Sequence, residues 1–428
     1  MGVRLIWVLL LLTVATASGV MTYRTLAAFA PDLRLPRVTA SPTPVPTPSA
    51  TAVPSPTATA TVTPAATATA SPAAEIKVLV AKTAVPSDHH YLLLGSTSFL
   101  RVVLLDLAAR ASSEVATITV DGPSAGPSEP QAMLSASADG RTVLVAVPSA
   151  RQGAVILIRP EQGQGTTLVR GDVSGGIVSP DGTRIAVARN DRGGSLAGLW
   201  IGPPSADALR RVVADEPQSA AAIAPLAFSR DGGLLIVTVG AGEPGTQAWL
   251  LSSSASDVRV ERSQGATRLV GGDAGSVGPA RHAEFINERE AFVWSSRASP
   301  SGTEDAIVYL FDANAKRGTG LYRAPTSDSL ILTAVWRQGT DEFATIEAPP
   351  FSGTDIGQRT LWLRGRDGSA RKIAQPGRFV GEVWWSPDGT KLYATLGGDD
   401  SNGRVVDLLG SGAGLLFCLR GGTPGSCT

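Results

Sequence analysis

Apolar positions in this chain fall in runs of four or five, each opened by a polar turn. The pattern returns at intervals of 42 to 57 residues. The clearest copy is Val178-Ser179-Pro180-Asp181-Gly182-Thr183-Arg184-Ile185-Ala186-Val187-Ala188-Arg189. Asp181-Gly182 supplies a turn in which Gly takes a positive φ without steric cost and Asp bonds backbone two residues on. Pro180 presets φ before the turn and has no N–H to donate, so it belongs outside a strand ladder. Ile185 to Ala188 are small or β-branched and suit a strand buried on both faces. A turn with one buried strand is not stable by itself, so the pattern predicts many such units stacked together.

Aligned on the turn, the clear copies centre on Asp139-Gly140, Asp181-Gly182, Asp231-Gly232 and Asp388-Gly389. Two eroded copies, Phe285 to Trp294 and Trp336 to Thr345, fill the long gap, and a weaker one begins at Ser87-Asp88. The successive spacings are 51, 42, 50, 57, 51 and 49 residues. A second series interleaves with the first, each member a short apolar strand: 101–107, 154–158, 199–201, 248–251, 307–311, 361–363 and 405–408. Seven turn-strand units alternating with seven further strands predict seven repeats of three or four strands each. That period is the signature of a β-propeller, whose blades hide both faces against their neighbours. A solenoid is the runner-up, but it favours a more constant repeat length and distinct caps. A terminal strand often closes such a ring, and Glu75 to Ala81 reads as one, placed next to Leu415 to Leu419.

The copies Ser179-Pro180-Asp181-Gly182-Thr183-Arg184-Ile185-Ala186 and Trp385-Ser386-Pro387-Asp388-Gly389-Thr390-Lys391-Leu392 resemble the WD40-like repeat of TolB-type bacterial propellers. The resemblance covers most of 85–428 and is strongest at the turns near 139, 181, 231 and 388. It implies an all-β propeller in an extracytoplasmic bacterial setting, and it speaks to fold far more than to activity.

The first 74 residues follow other patterns. Arg4 precedes an unbroken apolar or small run from Leu5 to Met21, with Ala15-Thr16-Ala17 as a small-x-small motif. Residues 1–24 therefore read as a signal peptide or a membrane anchor. Residues 25–38 form a juxtamembrane segment. Thr39 to Ala74 contains only Ser, Thr, Pro, Ala and Val, with eight prolines and no charge. Too little apolar bulk is present to fold, so it reads as a disordered linker of roughly 100 Å at most in polyproline II geometry. Its composition also suits O-glycosylation. The propeller then occupies 75–428.

Lys+Arg and Asp+Glu are both 37, and beyond residue 74 the balance is 33 basic to 36 acidic. That argues against nucleic-acid binding. Aromatics are 5% and glycines number 47, a turn-dense all-β composition. Cys418 and Cys427 are the two cysteines, and in an oxidising compartment they could pair as a disulfide.

Candidate chemistry is sparse, and no catalytic residue, metal ligand or cofactor site is assigned. Gly122-Pro123-Ser124-Ala125-Gly126 fits G-x-S-x-G, yet Pro123, Pro127 and Pro130 forbid the helix that must follow such a nucleophile. His89 and His90 are strand neighbours that face opposite ways, so they do not share a metal. Asp399-Asp400-Ser401-Asn402-Gly403 is calcium-loop-like in composition, but a hairpin turn explains it. The repeated Asp139, Asp181, Asp231 and Asp388, with Gly140, Gly182, Gly232 and Gly389, are turn formers. Trp384-Trp385 stands apart from the other tryptophans, because adjacent strand positions cannot both face one neighbour. One of the pair is a candidate for stacking on a sugar or peptide. The expectation is a non-catalytic binding or scaffolding module, monomeric and held at a membrane through its N-terminal segment. Its partner would be a cell-envelope protein or glycan. The rival is an extracytoplasmic glycan lyase or hydrolase with its site at the channel mouth.

Overall fold

The structure, a computed structural model, describes residues 76–96, 99–120, 132–189, 198–213, 222–240, 247–260, 263–269, 280–298, 304–324, 330–348, 359–377, 380–396, 404–409 and 414–418. The expected signal or anchor segment, the linker, the Gly122 to Gly126 stretch, the Asp399 to Gly403 loop and Cys427 lie outside these residues. Among the described residues the only helical segments are two single turns, Pro160–Gln162 and Ala206–Ala208. No helix there is long and apolar enough to cross a membrane.

Among the described residues, strands form six antiparallel sheets. The first holds β1 (Ile76–Val80), β2 (His89–Ser96), β3 (Phe99–Asp106) and β4 (Ala111–Val120) in the order β1-β4-β3-β2. The second runs in chain order through seven strands: β5 (Met133–Ala136), β6 (Val143–Val147), β7 (Ser149–Arg159), β8 (Gln164–Val178), β9 (Ile185–Arg189), β10 (Gly198–Gly202) and β11 (Arg210–Val213). Four more sheets each hold four consecutive strands. They are β12 (Ala222–Phe228) to β15 (Ala266–Arg268), with β13 (Leu234–Gly240) and β14 (Gln247–Ser252) between; then β16 (Ala280–Phe285), β17 (Glu290–Ala298), β18 (Glu304–Asp312) and β19 (Arg317–Arg323). The last two are β20 (Leu330–Trp336), β21 (Glu342–Ala348), β22 (Arg359–Gly365) and β23 (Ala370–Gly377); and β24 (Val380–Trp385), β25 (Leu392–Leu396), β26 (Arg404–Asp407) and β27 (Gly414–Cys418).

The predicted strands sit where the two sequence series put them. The turn-strand units are β2, β6, β9, β13, β17, β21 and β25, and the second series falls in β3, β7, β10, β14, β18, β22 and β26. The seven-stranded sheet departs from separate four-stranded blades. The 15-residue β8 continues past the end of one unit into the next, so Val173 pairs with Ser149 on one side and Arg189 on the other.

Both faces of the middle strands are covered, as β9 shows: Ile185, Ala186, Val187 and Ala188 are all fully buried. Each sheet packs on the next through such strands, and the last packs on the first. Tyr393 and Val405 of β25 and β26 meet Leu92, Val103 and Leu105 of β2 and β3. The sheets therefore form a ring, and the chain is a β-propeller. Each fully buried Leu, Val or Ile contributes about 1.5–3 kcal/mol relative to exposure. The ring is therefore held by these interfaces rather than by any single sheet.

Closure differs from the sequence expectation. β1 does not lie beside β27; it pairs antiparallel with β4, from Ile76↔Val120 to Val80↔Ala116. The first and last sheets meet through side chains, because β1 already finds a complete hydrogen-bonding edge on its own sheet.

Candidate functional site

The turns build one end of the ring. At Ser179-Pro180-Asp181-Gly182 the Gly182 N–H donates to the Ser179 carbonyl, and Gly182 adopts φ 71°. The Ser179 hydroxyl donates to Asp181, whose carboxylate also accepts the Thr183 N–H at 3.1 Å, and Arg184 N–H donates to Ser179 Oγ at 3.0 Å. The same bonds recur at Ser137/Asp139, Ser229/Asp231 and Ser386/Asp388. At Asp231 the Ser229 hydroxyl and Gly233 N–H hold the carboxyl below its ordinary value. Asp388, fed by Ser386 and Thr390, is held down at about 2. Desolvation alone would raise Asp139 and Asp181, but their hydrogen bonds outweigh it and both lie low. These carboxylates are fully engaged in their own turns.

The eroded copies keep the turn by other means. Asn287 Oδ1 accepts the N–H groups of Arg289 and Glu290, each at 2.8 Å, taking the role that the sequence alignment gave to the next residue. At the other, Gly339 supplies φ 74°, and Arg337 forms an ion pair with Glu342 across the turn. Neighbouring turns are then tied to each other: Ala138 N–H donates to Pro180 O at 2.7 Å, and Arg337 Nε to Gly389 O at 2.7 Å.

Trp384 and Trp385 face opposite neighbours, as adjacent strand positions must. Trp385 packs toward β20, its Nε1 donating to Val335 O at 3.4 Å with the Arg337 guanidinium 5.2 Å from its ring. Trp384 faces the first sheet, where the His90 imidazole lies flat on it. Neither indole stands free as a stacking platform. Instead Trp384 supports His90, and His90 meets the Glu382 carboxylate at 3.0 Å.

His90 and Glu382 border a cleft of about 310 Å³ where the first sheet meets the second and the last. It is lined by His89, His90 and Tyr91 of β2, by Leu134 to Ala138 at the end of β5, and by Glu382 of β24. His89 turns the other way from His90, its Nδ1 2.7 Å from Pro86 O and its ring edge-on to Tyr91. The Tyr91 hydroxyl donates to Gly140 O at 2.8 Å. Desolvation, with Glu161 and Asp139 nearby, raises its pKa, so it stays a neutral donor. Three buried polar atoms at the junction of the first and last sheets lack a partner: Asp88 Oδ1, Trp384 Nε1 and Tyr393 OH. Burial, followed by the Asp88 charge, pushes Tyr393 up to about 12. Among the described residues no group of three or more His, Cys, Asp or Glu side chains is placed to hold a metal.

Sequence reasoning flagged Trp384 but not its partners, because His90 and Glu382 lie 292 residues apart. It also missed a buried charged group. Glu347 Oε1 pairs with Arg364 Nη2 at 2.7 Å and accepts from Thr345 at 2.8 Å, while Tyr322 donates to Oε2 at 3.2 Å. The guanidinium also stacks 3.5 Å from the Tyr322 ring centre. With both Glu347 oxygens partnered and a single carboxylate present, this group reads as packing among β19, β21 and β22. Cys418 ends β27.

Solved structures similar to this chain include the hydrazine synthase of Kuenenia stuttgartiensis, at 14% identity and TM-score 0.48, covering 67% of this chain and 79% of that one. A putative TolB from Agrobacterium tumefaciens matches at 13% identity and TM-score 0.41, covering 65% and 89%. The RRP9 WD40 repeats match at 14% identity and TM-score 0.44, covering 75% and 92%. No protein-family model and no curated protein sequence matches the chain.

Proposed function

We propose that this chain is a binding or scaffolding propeller whose ligand site is the cleft where the first sheet meets the second and the last. The observation that carries this reading is the cleft itself. One aromatic stack (His90 on Trp384), one half-exposed carboxylate (Glu382) and the polar edge of β2 converge there. Small concave sites with a few convergent polar groups are the usual place for a ligand. The partner is a cell-envelope protein or glycan. Seven blades fit the pattern best. The seven-stranded sheet counts as two units fused through β8, with Leu144 and Ala146 packing on Ile185 and Val187 between its halves. Residues 1–24 as a signal peptide or membrane anchor, and 39–74 as a linker, support an extracytoplasmic, tethered monomer. There, Cys418 and Cys427 would pair.

The second reading is an enzyme of glycan lyase or hydrolase type, favoured by the His90–Glu382 contact, a geometry suited to a general base. One experiment weighs both. The full chain is immobilised and exposed to cell-envelope extract and to a glycan array, beside the Glu382→Gln and His90→Ala variants. Retention of a ligand that both variants lose, each still folded by circular dichroism at the assay temperature, supports binding. Retention that neither variant alters removes the cleft from the reading, and turnover of a glycan by the parent chain alone establishes the enzyme.

A further inference from the structure

The first sheet differs from the others in which position its innermost strand occupies. In each of the four later sheets the residue after the third strand donates its N–H to the carbonyl at the start of the second. Ser253 bonds to Gly233, Ala313 to Arg289, Arg366 to Asp341 and Leu408 to Leu392. In the first sheet the matching bond runs from Leu107, after β3, to Asp88, just before β2. β2 is therefore a second strand, not a first. Packing agrees: Leu92 of β2 meets Tyr393 of β25, and Tyr91 packs with Val143 and Val145 of β6, all on second strands. The sheet reaches four strands only because β1 is added outside β4. Among the described residues nothing occupies its innermost position, and that edge of β2 borders the cleft at His89 to Tyr91.

The cleft lies at one end of that position, along His89, His90 and Tyr91 of β2. β2 is its floor, β5 of the following sheet is one wall, and Glu382 of β24 is the other. Innermost strands on the two sides are four and six residues long. An edge strand with unpaired N–H and C=O groups is a template for adding a strand. The three partnerless polar atoms Asp88 Oδ1, Trp384 Nε1 and Tyr393 OH lie at this same junction.

We propose that this position receives an extended peptide of a partner protein, which adds as the innermost strand antiparallel to β2 and sets a basic side chain against Glu382. This rests on the binding reading above and names its ligand class. Antiparallel addition follows from the later sheets, in each of which the innermost strand pairs antiparallel with the second. A basic residue follows from charge. The titratable groups facing the cleft are His89, His90, Tyr91 and Glu382; no Lys or Arg lines it, and Glu382 is 52% exposed. The chain's own residues after β27 are a weaker occupant. Leu419-Arg420-Gly421-Gly422-Thr423-Pro424-Gly425 carries three glycines and a proline, poor ladder residues.

The test uses the full chain with a positional-scanning hexapeptide library, followed by twins of the best binder N-methylated at alternate amides. Expected are selection of Lys or Arg at one position, at least tenfold slower amide exchange across 89–96 on binding, and at least tenfold weaker binding of one N-methylated twin. Glu382→Gln erases the basic preference. Four results overturn the proposal: no pool binds, binding leaves β2 exchange unchanged, both twins bind as well as the parent, or truncation after Cys418 accelerates β2 exchange without peptide. In that last case the chain fills its own slot. If an envelope ligand is retained in a Glu382-dependent way while β2 exchange never changes, strand addition fails and the binding reading stands.

Discussion

His90 and Trp384 stack face to face across the junction that closes the ring, with ring centroids 3.8 Å apart and planes within 5° of parallel. The contact joins a residue of β2 to one of β24, so this pair and the Glu382 carboxylate add to the apolar packing of Leu92, Val103 and Leu105 with Tyr393 and Val405 that closes the ring. Aromatic pairs contribute about 0.5–1.5 kcal/mol beyond their buried area. His90→Ala should therefore lower unfolding free energy by about 1–2 kcal/mol. His90→Phe, which keeps the stack and loses Glu382, should cost less than half as much. Chemical denaturation of both variants checks this, and equal losses would rule the stack out as the source.

Gly140 and Gly339 make a matched pair. Both have positive φ, 68° and 74°. A Cβ on Gly140 would lie 2.4 Å from His89 Nε2 and 2.7 Å from Val85, while one on Gly339 would meet nothing within 4 Å. Gly339→Ala should cost about 1 kcal/mol, the left-handed backbone penalty alone. Gly140→Ala should cost at least twice that and disturb His89. Comparable losses in the two melting curves would contradict the packing at the Gly140 turn.

The Tyr309 hydroxyl is fully buried without a partner, and desolvation raises its pKa. A buried unsatisfied group costs about 1–3 kcal/mol. Tyr309→Phe removes it without opening a cavity, so the variant should be more stable than the parent. A lower melting temperature would mean that the hydroxyl has a partner in solution.

Acid should act in opposite directions at two carboxyls. Asp388 is depressed from 3.8 to about 2, so its share of stability is complete above 3.8 and lost as pH falls toward 2. Asp388→Asn should therefore flatten the acid limb of the stability profile. Asp88 is raised, chiefly by desolvation, so its charged form weakens the fold at neutral pH and protonation relieves it. Asp88→Asn should raise the melting temperature at pH 7, with the gain vanishing in acid. A gain that persists at pH 3 would show that charge is not the cause.

Breaking the buried pair at Arg364 should be severe. Arg364→Ala leaves Glu347, 7% exposed, without its counter-charge, a loss of about 3–5 kcal/mol. Replacing both with apolar residues should recover most of it, as a double-mutant cycle would show.

The ring was legible in the sequence because its signal is local. Ser-Pro-Asp-Gly, a positive-φ glycine and a doubly buried run such as Ile185 to Ala188 carry their own geometry, so the turns near 139, 181, 231 and 388 could be read one at a time. Even eroded copies kept the strand, although Asn287 replaced the expected position of the turn acid. What local chemistry does not carry is which strand ends up beside which. β1 reads as a closing strand wherever it lands, and only the fold put it against β4 instead of β27. Nothing in Gln164 to Val178 announces that one strand serves two units.

The cleft belongs wholly to tertiary structure. His90 and Glu382 are 292 residues apart, and their meeting depends on the last sheet returning to the first. Trp384 could be singled out, since neighbouring strand residues must face apart, yet its stacking partner could not. The place of β2 in its sheet is subtler still, because one backbone bond, Leu107 to Asp88, fixes it as a second strand. Periodicity along the chain determined the units and their repetition. Hydrogen-bond register and ring closure, which link residues hundreds of positions apart, decided which strands and side chains meet.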